Sequence, residues 1–382
     1  MLWLIGFFAF LNVYSMQSVL PLVMREFAAS PVAAGTTVGA TVLAVALVSP
    51  FIGMLSDAFG RKRIICTALF SLTLPTALIS LADSLSFVVV CRFLQGLTIP
   101  GIVVVVMAYI GEEFRIDRVA RMTAIYVGGT VMGGFCGRFI TGHAGHLMGW
   151  RGAFLVLAGL NLIGGVFVWR RLPPSSNFVA SRHLDQSLRT LMGHLHNRRL
   201  LSACAVGFCV LFSLVGAFTY INLMLAAPPF ELSTAGLANI FSVYLVGVVV
   251  TPIAGKFITR FGFLRALLGS LAAAAIGLSL TLAVSLPLVI VGLTICSSGV
   301  FICQSATVGF IANSVHEGRS LASGICNLCY YAGGSVGSLL AGLAFERWGW
   351  SGSVVSIMAM QMLGASIAVI GWRQPHRAGK TE

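Results

Sequence analysis

Apolar stretches of about 20 residues follow one another along the whole chain, separated by short polar breaks. A helix of that length crosses a hydrocarbon core of about 30 Å, and in lipid every backbone group must find its partner inside the segment. The pattern predicts an all-α integral membrane protein with twelve spanning helices. They lie near 2–23, 34–56, 63–82, 86–110, 119–142 and 152–170 in the first half, and near 201–225, 234–255, 264–284, 286–312, 320–343 and 351–372 in the second. Composition agrees, since 58% of the residues are hydrophobic and 9% charged, against about 25% charged in a soluble domain. The first stretch is too long for a signal peptide and lacks a charged start or a small-residue cleavage site, so it is expected to stay as the first helix.

Basic loops are retained in the cytoplasm. With the N-terminus inside, 19 of the 24 Lys and Arg fall in inner loops and tails. Arg25, Arg151 and Arg347 fall outside, and Arg92 and Arg138 within the membrane. Both termini are therefore expected to be cytoplasmic, in a multi-pass protein of the inner membrane. The net charge of +13 follows from this asymmetry and gives no reason to invoke nucleic acid. All nine cysteines fall in apolar runs without a ligand-like grouping, so free thiols and no metal are expected.

The two halves repeat one another. Gly133, Gly134, Gly137, Gly142, Gly149, Trp150 and Gly152 recur 200 residues later as Gly333, Gly334, Gly337, Gly342, Gly349, Trp350 and Gly352. At a shift of 202, Pro50, Gly53, Phe59, Gly60 and Arg63 recur as Pro252, Gly255, Phe261, Gly262 and Arg265. Residues 1–172 and 201–382 read as two six-helix bundles, joined by a polar cytoplasmic linker over 173–200. Parallel repeats joined this way can rock about a central site.

Residues 53–63 read Gly-Met-Leu-Ser-Asp-Ala-Phe-Gly-Arg-Lys-Arg. With the repeat and the topology, this segment resembles the loop between the second and third helices of the major facilitator superfamily, and the resemblance covers essentially the whole chain. In pattern it is closest to the twelve-helix drug/sugar:proton antiporters. One departure is Ala58, where a basic residue is common in that family. Gly53 would let helices approach closely and Gly60 would permit a tight turn. Asp57 could pair with Arg61 or Arg63, or with the positive N-terminal end of a helix in the other bundle, forming a latch that favours the outward-open state; the alternative is that it caps a turn in solvent. In the second copy Thr259 stands where Asp57 stood, so the two inner latches are not equivalent.

A buried charge costs at least about 2.5–3.5 kcal/mol if it meets lipid. Arg92, in Arg-x-x-Gln-Gly, resembles the family's fourth-helix motif, whose arginine is associated with proton coupling or substrate contact; the alternative is snorkelling to the outer headgroups. Gly129, Gly133 and Gly137 share one helix face and would admit a close neighbour. A related fifth-helix motif marks antiporters, but Gly134 replaces its proline and Arg138 its last glycine, so antiport is suggested rather than shown. Arg92 and Arg138 together could attract an anion, unless Arg138 snorkels outward near His143 and His146. No carboxylate is predicted at mid-membrane, which moves neutral or anionic cargo ahead of lipophilic cations.

Helices 1, 4, 7 and 10 line the cavity in this family. Their polar residues Asn12, Tyr14, Gln17, Gln95, Tyr220, Asn222 and Gln304 are the candidate contacts, with Asn327, Tyr330 and Tyr331 secondary. Each is as easily a bond between helices as a ligand to substrate. The resemblance implies alternating access, with proton-coupled efflux of a small neutral or anionic drug, sugar or metabolite. No cofactor is implied, the proton gradient supplying the energy. The expected partners are a small-molecule substrate, protons and the bilayer, for a chain acting as a monomer. Uptake by symport or uniport is the nearest rival, and a receptor or scaffold a further one. An enzyme would need a buried nucleophile and base or a metal cluster, and every His is predicted in a loop, a tail or at a helix end; no Walker-type phosphate loop is present.

Overall fold

A computed structural model describes residues 1–175, 193, 196–314 and 319–372. Most of the expected linker lies outside the described residues. The described chain is helical in the order α1 (Leu2–Leu11), α2 (Met16–Glu26), α3 (Pro31–Phe59), α4 (Arg61–Ile79), α5 (Leu85–Thr98), α6 (Pro100–Glu113), α7 (Ile116–Arg171), α8 (Arg198–Leu225) and α9 (Thr234–Ile240). A 3₁₀ turn over Phe241–Leu245 leads to α10 (Val246–Phe261), α11 (Phe263–Leu280), α12 (Leu286–Ser314) and α13 (Arg319–Gly371). Ten helical stretches among the described residues are long and apolar enough to cross a membrane.

Among the described residues four glycines have positive φ, and they form two pairs of repeat-related positions: Gly60 (90°) with Gly262 (79°), and Gly149 (76°) with Gly349 (64°). An L side chain is strained in that region, whereas glycine is not. The first pair turns the chain between α3 and α4 and between α10 and α11. The second breaks the long runs α7 and α13. Beyond each of these later breaks a tryptophan is anchored: Trp150 Nε1 donates to Glu26 Oε2 at 2.5 Å and Trp350 Nε1 to Thr281 Oγ1 at 2.9 Å.

Glycine also sets the packing inside each half. A Cβ at Gly129, Gly133 or Gly137 of α7 would overlap the backbone carbonyl of Trp3, Phe7 or Leu11 of α1. Both series step by four, so one helix lies in the small-residue groove of the other. Gly333 and Gly337 of α13 meet Phe208 and Phe212 of α8 in the same way.

The expected first helix is interrupted. At Asn12–Ser15 the backbone tightens to i→i+3 bonds, Ser15 N to Asn12 O at 3.4 Å and Gln17 N to Tyr14 O at 3.1 Å. Neither Gly nor Pro is responsible: Ser15 Oγ donates to Asn12 O, and Arg92 claims the carbonyls of Asn12 and Val13, competing with the helical bonds these would otherwise accept. The expected fourth helix is likewise split at Ile99, before Pro100, and the eighth carries the 3₁₀ turn.

The two halves meet along a seam. Gly35 and Gly39 of α3 lie against Tyr220 and Ser338, and Gly334 of α13 lies against Val42. Gln17 Nε2 of α2 donates to Thr219 Oγ1 of α8 at 2.9 Å. Gly142 and Gly145 of α7 pack on Ala238 and Thr234 of α9. All nine cysteines are free.

Candidate functional site

The break in the first span divides its polar residues between two environments. On one side, Arg92 is fully buried. Its Nε donates to Thr37 O at 3.0 Å, Nη1 to Asn12 O at 2.8 Å and Gln95 Oε1 at 2.7 Å, and Nη2 to Val13 O at 2.6 Å. Around it, Asn12 Nδ2 donates to Asn161 Oδ1 at 2.9 Å, Thr76 Oγ1 to Asn12 Oδ1 at 3.3 Å, and Gln95 Nε2 to Thr76 Oγ1 at 2.7 Å. Asn12, Thr76, Gln95 and Asn161 are all fully buried. They form a polar knot tying α1, α4, α5 and α7 inside the first half. Arg92 does not reach the outer headgroups, and its donors face protein carbonyls and an amide.

On the other side lies Arg138, 1% exposed. Its Nε donates to Gln17 Oε1 and its Nη1 to Gly134 O, both at 2.7 Å. Three rings surround the guanidinium: Tyr14 at 4.6 Å, Phe241 at 4.8 Å and Tyr244 at 4.4 Å from centroid to Cζ. Two of these rings come from the second half, so the cage closes only where the halves meet. Each such contact is worth about 0.5–2 kcal/mol, the higher end applying when water is excluded. Arg138 does not snorkel toward His143 or His146; the nearby His143 bonds back to Phe139 O instead.

Tyr330 and Tyr331 meet edge to face, their ring centroids 5.4 Å apart. Tyr126 and Tyr244 carry buried hydroxyls with no hydrogen-bond partner among the described residues. Tyr14 of the first half and Tyr244 of the second thus meet on Arg138 at the seam. Neither Arg92 nor Arg138 forms an ion pair among the described residues. No carboxylate answers either cation among the described residues.

The remaining expected contacts are dispersed. Tyr220 donates to Ser338 O across the second half and fills the space left by Gly35 and Gly342. Asn222 Nδ2 bonds Phe218 O at 2.8 Å, while its Oδ1 is buried without a partner among the described residues. Gln304 and Asn327 are half-buried. Arg92 and Arg138 share no hydrogen-bond partner among the described residues: Arg92 bonds Thr37, Asn12, Val13 and Gln95, and Arg138 bonds Gln17 and Gly134.

At one end of the bundle Arg61 is held by two acids. Its Nη1 meets Asp57 Oδ1 at 2.5 Å, and Nε and Nη2 meet Glu112 Oε2 and Oε1 at 3.0 and 2.5 Å. The cluster joins the ends of α3, α4 and α6, all in the first half. Arg63 is exposed. Gly53 makes no close approach: a Cβ there would meet nothing within 4 Å. In the second copy, Thr259 bonds Lys256 O at 2.9 Å and Arg265 forms no ion pair among the described residues, so the asymmetry extends to the side chains.

Sequence reasoning missed Tyr126, Phe241, Tyr244 and Glu112. The aromatic pair Phe241 and Tyr244, three residues apart in an otherwise aliphatic span, was the available signal. Glu112 sits at the end of α6, far in sequence from its partners.

A family model described as Major Facilitator Superfamily matches residues 2–247 and 223–382. A Buchnera aphidicola protein described as an uncharacterized transporter is 30% identical over 336 residues, covering 88% of this chain and 81% of that protein. The inner membrane transport protein YnfM of Escherichia coli is 31% identical over 258 residues, 67% of this chain and 62% of its own length. Among solved structures, a point mutant of the nucleoside transporter NupG superposes with a TM-score of 0.80 at 13% identity, covering 97% of this chain and 99% of that one. That likeness is one of fold.

Proposed function

The chain belongs to the major facilitator superfamily, and from that premise we propose that it is a proton-coupled exporter of a small neutral or anionic compound, working by alternating access. The observation that carries this is the buried cluster on the seam, where Arg138 and Tyr14 of the first half face Phe241 and Tyr244 of the second. A site shared between halves is rebuilt whenever the halves rock.

In this reading each side of the breaks at Gly149 and Gly349 is a separate crossing, giving twelve. The units are residues 1–172 and 201–382 with a linker at 173–200, and both termini face the cytoplasm, as the distribution of basic residues favours. The packed end at Gly142 and Ala238 is then the outer side, and the conformation is closed outward. Gly53 and Asp57 lie at the inner end, where they would meet the second half only when that end closes.

Flux into proteoliposomes under an imposed pH gradient tests the proposal. Export that follows the size and sign of the gradient supports it, and flux indifferent to both removes proton coupling. Uptake by symport or uniport is the second reading. It is favoured by the lack of a described carboxylate near Arg138 to carry the proton.

A further inference from the structure

We propose that Arg138 and the tyrosines around it bind a small aromatic monocarboxylate, the carboxylate lying against the free edge of the guanidinium. This deepens the transport reading and rests on it. Arginine stays protonated at any physiological pH, and a buried cation is stable only when paired or fully bonded. Arg92 meets that requirement through three backbone carbonyls and Gln95. Arg138 does not: Nε and Nη1 are engaged by Gln17 and Gly134, whereas Nη2 has no acceptor among the described residues. The rings stabilise its faces and leave its edge to an anion.

Charge sets the class. One guanidinium that forms no ion pair among the described residues neutralises one negative charge, so a cation is repelled and a dianion brings a second charge into a low-dielectric site without a partner. A carboxylate fits the planar fork of donors and can accept two hydrogen bonds from it. Tyr244, whose ring lies 4.4 Å from the guanidinium, carries a buried hydroxyl without a partner among the described residues, a donor the proposed anion would engage. The Tyr14, Phe241 and Tyr244 rings around the guanidinium offer faces and edges on which an aromatic body can stack.

The test uses the purified full chain and three acid and amide pairs: benzoate and benzamide, phenylacetate and phenylacetamide, salicylate and salicylamide. Thermal stabilisation should appear at concentrations at least about tenfold lower for the carboxylates, in keeping with a charge-assisted bidentate contact. Arg138→Gln should abolish that preference, and Arg138→Lys should keep part of it. Tyr244→Phe, which removes one unbonded hydroxyl, should weaken carboxylate binding several-fold without moving the melting temperature of the free protein, keeping the site testable if Arg138→Gln fails to fold. No preference for acid over amide, including no binding of either, overturns the proposal. Proteoliposome flux separates the two readings: carboxylate binding without any flux overturns transport and keeps the site, and flux of neutral solutes without carboxylate preference does the reverse.

Discussion

The guanidinium carbon of Arg138 lies 4.4 Å from the centre of the Tyr244 ring, a contact between residues from opposite halves of the chain. It links the buried charge of the first half to the packing state of the second. In the alternating-access proposal the seam opens, and the cation then loses two of its three rings and must be solvated or paired by something else.

Gly142→Leu should disfavour the closed state at its end of the seam. Any Cβ there overlaps Ala238 and would stand 3.0 Å from Thr234 O, so a branched side chain must push α7 and α9 apart. A cysteine introduced at Thr234 should then alkylate faster than in the parent background, and transport should fall.

Arg92→Ala should act on stability. It removes donors to the carbonyls of Thr37, Asn12 and Val13, and buried acceptors left unpaired cost about 1–3 kcal/mol each before relaxation. The melting temperature in detergent should drop by several degrees, and Arg92→Lys should recover little of it, because an ammonium cannot reproduce the fork. An unchanged melting temperature with lost substrate binding would instead give Arg92 a direct role in the cargo site.

Asp57→Asn and Glu112→Gln should impair cycling with little loss of folding. Each removes one of the two acids on Arg61. For partly exposed pairs that is worth up to about 1 kcal/mol, or roughly a fivefold shift in a conformational equilibrium. The double variant should exceed the sum of the singles, since Asp57 and Glu112 share the one guanidinium. Wild-type flux in all three would remove the cluster from the gate.

Gly53→Leu and Gly133→Leu should separate gating from folding. At Gly133 any side chain overlaps Phe7 O, whereas at Gly53 it meets nothing within 4 Å. The Gly133 variant should therefore lose monodisperse yield in gel filtration. The Gly53 variant should be made normally and lose flux if the inner end closes over it.

Much of the architecture is legible in the chain itself. Spans of about 20 apolar residues follow from the need to satisfy backbone groups in lipid, and that constraint is local. The repeat is local too: Gly60 and Gly262, and Gly149 and Gly349, can be paired by offset alone, and each proves to be a positive-φ turn or break. The glycine stripe at 129, 133 and 137 announces a close neighbour, though not that α1 is the one.

The roles of the polar residues were decided only in the folded molecule. Asn12 and Tyr14 stand two apart in sequence, yet one is tied into the knot with Thr76 and Asn161 while the other faces Arg138. That division comes from the break at Asn12–Ser15, which Arg92 sustains from 80 residues away. Likewise Phe241 and Tyr244 read as ordinary apolar positions of their span until the seam brings them onto a cation of the other half. Sequence alone determined which stretches are apolar enough to cross a membrane and which glycines repeat between the halves, because hydropathy and backbone strain are properties of short segments. Which arginine is consumed by backbone carbonyls and which is ringed by aromatic residues was decided by tertiary structure, because it depends on helix rotation and on partners distant in sequence.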